Sequence, residues 1–231
     1  MKKIGLVGGT GPESTIMYYK ELNSQIDKAT NGKNMPELSI ESVNFRKAWE
    51  LVSMEKYKEL AEYLSEKVNR LAISGAEIIA LTAATMHIVF EEIENDTNLS
   101  LVSIPQTVCN EVIKNGYKRV GLLGTIFTME KDFMKKDLRQ AGIDVIVPDK
   151  VDRELVARRI YEELEVGIVK ESTLQEFNQI IEKMQKRYEI EAVILGCTEL
   201  PLILNNENSV LPCLDSVEIH IKELIKLAQQ G

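Results

Sequence analysis

The side chain best suited to acid–base chemistry in this sequence is the thiol of Cys197. It lies in the segment ILGCTELP, after an apolar run that predicts a strand and at the start of a predicted helix. Amides at a helix N-terminus stabilise a thiolate and lower the pKa of a cysteine, so this thiol could remove or return a proton near neutral pH. A lone cysteine is more often a small apolar core residue. The neighbours Gly196, Thr198 and Glu199 favour the catalytic interpretation.

The other two cysteines are interpreted as structural. Cys109 lies within an apolar helical pattern and Cys213 within a predicted strand. The three cysteines have no CxxC spacing, and the N-terminal MKKIGLVGGTGPE predicts a strand rather than an export signal. We therefore expect free thiols and a cytoplasmic location. The only histidines are His87 and His220, without clustered ligands, so we expect no metal site.

Composition excludes several classes of partner. The 231 residues carry a net charge of −8, with 44% hydrophobic and 28% charged residues. Basic residues are interspersed with acidic ones, and no basic stripe is present, so we expect neither nucleic acid nor an anionic membrane surface as a partner. No apolar run approaches a membrane-spanning length.

The glycine-rich segment GGTGPEST, residues 8–15, is a second candidate for binding chemistry. It fits neither the GxGxxG pattern nor the phosphate-binding loop with its Lys-Ser/Thr, which leaves only a weak nucleotide interpretation. Exposed amides at the start of the helix predicted after it would equally suit a substrate carboxylate. Thr10 in this segment is therefore a candidate binding residue.

Strands and helices alternate along the whole chain, which predicts an α/β fold with parallel sheets. The strands are predicted from short branched aliphatic runs, at Ile4–Val7, Ile40–Asn44, Ile78–Leu81, Leu101–Ile104, Val120–Leu123, Asp144–Val147, Ala192–Leu195 and Leu211–Leu214. The helices between them are predicted from apolar residues at helical spacing, at Ser14–Ile26, Met54–Ile73, Met129–Gln140, Arg153–Glu165 and Leu174–Tyr188.

Three sequence landmarks recur in the same order in the two halves of the chain. KKIGLVGGT matches KRVGLLGT, EIIALTAAT matches EAVILGCTE, and LVSIPQT matches VLPCLDS. We predict two pseudo-symmetric halves, 1–104 plus 216–231 and 105–215, each a parallel four-stranded sheet flanked by helices. Ligands of open parallel sheets bind beyond the carboxyl ends of the strands. The active site is therefore expected in the cleft between the halves, with walls formed by Thr10, Thr85, Thr125 and Thr198.

These motifs resemble the cofactor-independent aspartate/glutamate racemases. GGTGPEST is similar to the N-terminal GGMGPEAT-type motif of that family, GCTELPLIL to its second catalytic cysteine motif, and LDSVEIHI to its C-terminal segment. The resemblance covers essentially the whole chain. It implies a two-lobed homodimer that needs neither pyridoxal phosphate nor metal. It also implies that two thiols flank the α-carbon of an amino-acid substrate and move its proton.

The sequence departs from that family at the first cysteine. The family motif reads roughly C-N-T-x-H, whereas this chain has Ala83 and Ala84 before the matching Thr85 and His87. The internal repeat independently pairs Ala83 with Cys197. Alanine cannot transfer a proton, so Thr82 or water is left as the alternative donor on that face.

One residue is a candidate for recognising the side chain of the substrate. Arg46, after the second predicted strand, is a candidate partner for a side-chain carboxylate, and a solvated loop arginine is the competing interpretation. The stretch around Glu165 resembles a family segment that often carries lysine, which weakens a dicarboxylate assignment. Two other functions stay open: a single-cysteine decarboxylase-type lyase, and a catalytically impaired carboxylate-binding protein.

Overall fold

The computed structural model describes residues 1–230 and divides them into two compact units. The first unit consists of Met1–Ile104 and His220–Gly231, and the second of Pro105–Ile219. The chain passes from the first unit to the second after Ile104 and returns to the first after Ile219.

Each unit contains one parallel four-stranded sheet, and the two sheets have the same strand order. The orders are β2-β1-β3-β4 and β6-β5-β7-β8. The fold is therefore α/β with two four-stranded parallel sheets flanked by helices, as the sequence predicted. The strands are β1 Ile4–Gly8, β2 Leu38–Ser42, β3 Ile78–Leu81, β4 Ser100–Val102, β5 Arg119–Leu123, β6 Asp144–Ile146, β7 Ala192–Leu195 and β8 Cys213–Asp215.

The helices lie between the strands in chain order. They are α1 Pro12–Ala29, α2 Phe45–Ser53, α3 Tyr57–Ile73, α4 Phe90–Asn95, α5 Ile104–Lys114, α6 Ile126–Glu130, α7 Lys136–Gln140, α8 Lys150–Glu162, α9 Glu171–Tyr188 and α10 Ser216–Gln229. Three short 3-10 helices complete the chain at Ala84–Val89, Leu164–Val166 and Leu200–Leu202. No helix among residues 1–230 is long and apolar enough to cross a membrane.

The central strands of both sheets are buried throughout except at Arg119, the first residue of β5, which explains their continuous aliphatic sequences. In the first unit α1 buries Ser14, Tyr18, Leu22 and Ile26, a spacing of four that places one helix face against the sheet. In the second unit Phe177 and its apolar neighbours on α9 pack into a cluster with strand residues of β5 and β7. Each unit therefore has a core of its own.

Equivalent contacts support the internal repeat at the level of single residues. Glu77 accepts the amide of Lys3 in the first unit, and Glu191 accepts the amides of Lys118 and Arg119 in the second. Both glutamates lie just before the third strand of their sheet and bind backbone amides at or just before the start of the first strand. A Cβ atom on Gly5 would lie 2.9 Å from Ala76 Cβ, so only glycine fits at this position of β1.

Two predicted helices are wrong in extent. The helix predicted at Met54–Ile73 begins only at Tyr57, because Glu55 has a left-handed φ of 54° that separates it from the unpredicted helix α2. The helix predicted at Met129–Gln140 is two helices, α6 and α7. Lys135 Nζ donates to the carbonyls of Met129 and Glu130, which ends α6 with a side-chain cap.

Candidate active site

The glycine loop of the first unit joins β1 to α1 and is held in a conformation that needs glycine. Gly9 and Gly11 have φ angles of 80° and 114°. The amide of Gly9 donates to Thr15 Oγ1 at 2.9 Å. Gly11 is the N-cap of α1 and no side chain caps that helix, so its first-turn amides stay available for an anion.

Thr10 lies in this loop with its hydroxyl unused. The residue is 7% exposed, and its Oγ1 has no hydrogen-bond partner within residues 1–230. A buried hydroxyl without a partner is uncommon and leaves bonding capacity for a ligand or water. The position fits the prediction of Thr10 as a binding residue, at the carboxyl end of β1.

The loop after β3 carries Ala83, Ala84 and Thr85, all half-buried. β1 and β3 are neighbours in the sheet, with Val7 opposite Leu81, so this loop and the glycine loop follow adjacent strand ends. No side chain of Ala83 or Ala84 can take part in proton transfer. The first unit therefore brings together Thr10 and the segment Ala83–Thr85 without an acid–base group among them.

Thr82 is not available as the missing proton donor in this structure. The residue is completely buried, and its Oγ1 donates to the carbonyl of Val7 at 3.3 Å. The same oxygen lies 3.3 Å from Thr15 Oγ1. These contacts direct the hydroxyl into the body of the first unit, which leaves water as the remaining alternative at position 83.

His87 anchors the loop after β3 instead of titrating in it. Its Nδ1 lies 3.2 Å from the carbonyls of Ala83 and Ala84, and its Nε2 accepts the amide of Ile104 at 3.0 Å. Burial first, then the nearby His220, lowers the pKa of His87 to about 3. The ring is therefore neutral, with the proton on Nδ1.

His220 is held in the same way by α1 and β4. Its Nε2 lies 2.9 Å from the carbonyl of Val102, and the hydroxyl of Tyr18 lies 2.6 Å from Nδ1. Burial lowers the pKa of His220 to about 4. Both histidines thus support the backbone of the first unit.

In the second unit Cys197 follows β7 at the carboxyl end of the sheet. Its neighbour in the sheet is β5, with Leu123 opposite Leu195, and Thr125 follows β5 as the N-cap of α6. The hydroxyl of Thr125 accepts the amide of Thr128 at 3.2 Å. Thr125, Cys197 and Thr198 therefore lie at adjacent strand ends, and all three are half-buried.

The expected helix after Cys197 is absent, and that part of the prediction is wrong. Only the 3-10 helix Leu200–Leu202 follows, and the amide of Leu200 donates to the carbonyl of Cys197 at 3.2 Å. An α-helix starting here would need the amide of residue 201 for that carbonyl, and Pro201 has none. The thiol consequently lacks the helix N-terminus that would favour its ionisation.

The environment of Cys197 keeps the thiol protonated. Its Sγ donates to Glu199 Oε2 at 2.8 Å. Burial of the sulfur, then the charges of Glu199 and Glu165, raises the pKa of Cys197 well above its usual range. The expected lowering of this pKa is therefore wrong, and the contact with Glu199 is a feature that the sequence interpretation did not assign.

The candidate binding residue Arg46 and the acidic residue Glu165 both lie on exposed parts of the chain. Arg46 is exposed in the first turn of α2, after the edge strand β2. Glu165 is exposed in the 3-10 helix after α8, and partial desolvation, then the charge of Glu199, raises the pKa of its carboxyl. The surroundings of Cys197 and Glu199 are thus negatively charged, which does not suit the binding of a second carboxylate of a substrate.

Glu163 fixes the segment that carries Glu165. The residue is 3% exposed, and its carboxylate accepts from Arg159 at 2.8 Å, Lys170 at 3.0 Å and Thr173 at 2.6 Å. The hydrogen bond from Thr173 is the main reason that the pKa of Glu163 is lowered. This buried anchor was not predicted, because nothing in the local sequence distinguishes Glu163 from the exposed glutamates around it.

No group of three His, Cys, Asp or Glu side chains in the described part of the chain is arranged to hold a metal ion. Cys109, Cys197 and Cys213 are free thiols. Fold and site together define a duplicated α/β protein whose second unit presents a protonated thiol beside a carboxylate at a strand end.

The profile of the Asp/Glu/hydantoin racemase family matches residues 7–224. The chain belongs to this family. Among curated relatives, the broad specificity amino-acid racemase RacX of Bacillus subtilis is 23% identical over 218 residues, covering 92% of each chain.

Solved structures agree with the family assignment. An aspartate racemase homologue from Pyrococcus horikoshii is 39% identical, with a TM-score of 0.89 over 99% of this chain and 100% of its own. A candidate Asp/Glu racemase from Yersinia pestis is 35% identical, with a TM-score of 0.94 over the whole of both chains. The aspartate racemase of Picrophilus torridus, 22% identical with a TM-score of 0.76, shares the fold over 99% of this chain and 95% of its own.

Proposed function

We propose that the protein is a cofactor-independent amino-acid racemase in which Cys197 exchanges a proton with the α-carbon of the substrate. The observation that carries the proposal is the thiol of Cys197 at the carboxyl end of β7, in hydrogen-bond contact with a carboxylate. A racemase needs a group that removes the α-hydrogen and can return it, and a thiol with an adjacent proton acceptor can do both. Family membership supports this class of reaction.

The candidate binding groups suit the α-carboxylate of an amino acid. The uncapped first turn of α1 and the unpartnered hydroxyl of Thr10 lie at one strand end of the first unit. Thr85 follows the adjacent strand, and Thr125 and Thr198 occupy the matching places in the second unit. Backbone amides at a helix start, together with threonine hydroxyls, are common ligands of carboxylates.

The two alanines of the first unit make the proposed reaction asymmetric. Ala83 leaves one face of the α-carbon without a protein acid, so water has to supply the proton there. The loss of one general acid or base typically costs about 10²–10⁴ in rate. We therefore propose slow racemisation that is biased toward the enantiomer whose α-hydrogen Cys197 can reach. A homodimer and a cytoplasmic location belong to the same proposal.

The experiment incubates the purified protein in heavy water with both enantiomers of a panel of amino acids of acidic, basic and neutral side chain. Proton NMR follows loss of the α-hydrogen signal, and chiral chromatography follows formation of the opposite enantiomer. A racemase shows both with at least one amino acid. Release of carbon dioxide from a malonate-type acid would establish a lyase instead. Carboxylate binding without exchange or carbon dioxide would establish a binding protein and overturn the proposal.

A further inference from the structure

Ser216 contacts the strand that leads to the candidate thiol. The residue follows β8 and begins α10, and it is 2% exposed. Its hydroxyl donates to the carbonyl of Leu195 at 2.7 Å. Leu195 is the last residue of β7, two positions before Cys197. A buried hydroxyl is therefore bound to the backbone of the second unit just before the thiol.

The start of α10 fixes the position of Ser216. Asp215 lies opposite Leu195 in the sheet, and its Oδ1 accepts the amides of Val217 at 2.9 Å and Glu218 at 3.2 Å. This is the arrangement of an N-cap side chain. Ser216 lies between the capping residue and the capped amides, and its burial leaves the hydroxyl little room for another rotamer. The donor of the bond to β7 is consequently held as firmly as the helix start.

The segment that leads to Cys197 is restrained on the side of β5 as well. The amide of Gly196 donates to the carbonyl of Leu123 at 2.8 Å. A Cβ atom on Gly196 would lie 3.0 Å from that carbonyl oxygen, so the two strand ends are in close contact. The carbonyl of Cys197 accepts the amide of Leu200 at 3.2 Å. Since β7 lies between β5 and β8, Ser216 provides the restraint on the opposite side.

A buried serine holds the corresponding strand end of the first unit. Ser14, in the first turn of α1, donates its hydroxyl to the carbonyl of Thr82, which directly precedes Ala83. Both units thus bind a carbonyl near the end of their third strand through a serine at a helix start. In the first unit the restrained segment leads to an alanine. In the second it leads to Cys197, the side chain proposed to move a proton.

We propose that Ser216 is a positioning residue, which fixes the Cys197 sulfur relative to the α-carbon of the substrate through its bond to the Leu195 carbonyl. This inference rests on the proposed function. Proton transfer requires the donor and acceptor atoms to be held close together, and a displacement of about 1 Å can lower the rate by about 10². Ser216 itself neither touches the substrate nor takes a proton. Loss of its hydroxyl frees the strand end that determines where the sulfur lies.

The test compares Ser216→Ala with Ser216→Thr, which keeps a hydroxyl at this position. Ser65→Ala is the matched control, because it removes another buried serine hydroxyl, which donates to Asp96 at 3.3 Å and lies on α3 of the first unit. The readout is α-hydrogen exchange in heavy water at several substrate concentrations. The substrate is the amino acid of the panel that the original protein exchanges fastest, and kcat and KM are determined separately.

Ser216→Ala is expected to lower kcat by about 10-fold to 10²-fold, because the thiol is no longer held at the reacting distance. KM changes by no more than about threefold, since the groups that bind the substrate carboxylate are kept. Ser216→Thr retains a kcat close to that of the original protein. Ser65→Ala also keeps its kcat, although it loses a buried hydrogen bond. A loss of stability alone would not separate Ser216→Ala from this control.

The inference is overturned if folded Ser216→Ala keeps the original kcat, or if Ser65→Ala or Ser216→Thr loses as much. A raised KM with unchanged kcat would also overturn it, because Ser216 would then act on binding. Circular dichroism and thermal unfolding identify a variant that does not fold. In that case Ser216→Cys, which has a similar shape and only a weak S–H donor, is judged by the same change in kcat.

The same measurement separates this inference from the proposed function. If the original protein exchanges no amino acid, the proposed function fails and the inference with it. If the original protein and Ser216→Ala exchange at the same rate, only the positioning role fails.

Discussion

The loop after β3 and the loop after β7 occupy matching places in two units of identical strand order, and they are stabilised by opposite means. In the first, the neutral ring of His87 binds the carbonyls of Ala83 and Ala84 and no side chain can donate a proton. In the second, Cys197 and Glu199 form a thiol–carboxylate pair and no histidine is present. The duplicated fold therefore supplies the position, while the side chains decide whether that position can perform acid–base chemistry.

The largest expected effect comes from making the two loops chemically alike. Ala83→Cys together with Ala84→Asn restores a thiol at the position that the repeat pairs with Cys197. Racemisation in both directions is expected to rise by about 10²–10⁴, the usual contribution of one general acid or base. Polarimetry from each enantiomer measures this rise. Ala83→Ser with Ala84→Asn is the control, since a serine hydroxyl is a far weaker acid. An unchanged rate in the cysteine variant would show that position 83 does not reach the α-carbon.

The two buried histidines of the first unit should make the folded protein less stable at acidic pH. His87 and His220 have pKa values of about 3 and about 4 in the folded protein, below their ordinary 6.5. Over this range the imidazoles become protonated in the unfolded chain but not in the folded protein. The free energy of unfolding therefore decreases as the pH falls from 6.5 toward 4. Two protons correspond to a slope of up to about 2.7 kcal/mol per pH unit.

Urea unfolding at pH 7.5, 6.5, 5.5 and 5.0 measures this slope. Well above pH 6.5, as at pH 7.5, both histidines are almost entirely neutral in either state, so their contribution is nearly complete and constant there. The carboxylates with lowered pKa, such as Glu163, act only at more acidic pH. Equal stability at pH 7.5 and 5.0 would contradict the account of two buried neutral imidazoles.

Removing the anchor of the loop after β3 is expected to cost more stability than removing the helix cap that follows β5 in the second unit. His87→Phe keeps the ring stacked on Phe90 but removes both nitrogens, so the Ile104 amide loses its acceptor. The expected loss is about 2–3 kcal/mol, because a buried polar group loses its bond. Thr125→Val removes only the cap of α6, at about 1 kcal/mol. Chemical denaturation measures both, and the reverse order would refute the comparison.

The parts of the fold that depend on local sequence patterns could be predicted from the sequence, and those that depend on a particular backbone angle or a missing amide could not. All eight strands were predicted, with ends that match or are shifted by at most two residues, because short runs of branched aliphatic residues mark the strands of a parallel sheet. The helix α2 was missed because its boundary depends on the left-handed Glu55. The helix after Cys197 was predicted wrongly, since the missing amide of Pro201 outweighed the local pattern.

The sequence predicted where along the fold the candidate residues lie, but not the electrostatics around them. The positions of Thr10, Ala83 and Cys197 at strand ends follow from the repeat and the strand pattern. The bond from Cys197 to Glu199 depends on side-chain conformation, and the burial that raises the thiol pKa depends on packing of distant segments. The role of His87 requires contacts to Ile104, which sequence periodicity does not reveal.

A further effect on stability is expected from the anchor of the segment that carries Glu165. Glu163→Gln leaves the positive charges of Arg159 and Lys170 without their buried carboxylate, at an expected cost of about 2 kcal/mol. Glu182→Gln is the control, since its pair with Lys186 is exposed and contributes about 0.3 kcal/mol. Thermal unfolding compares the two. Equal effects would show that the buried network does not stabilise the second unit.

The central claim, that Cys197 moves the α-hydrogen, is tested most directly by exchange in heavy water with Cys197→Ala. Cys213→Ala is the matched control, because it removes another free thiol, which is buried in β8. The account predicts that exchange falls by at least about 10² in Cys197→Ala, while its thermal unfolding is preserved and Cys213→Ala keeps the original rate. Undiminished exchange in folded Cys197→Ala would contradict it.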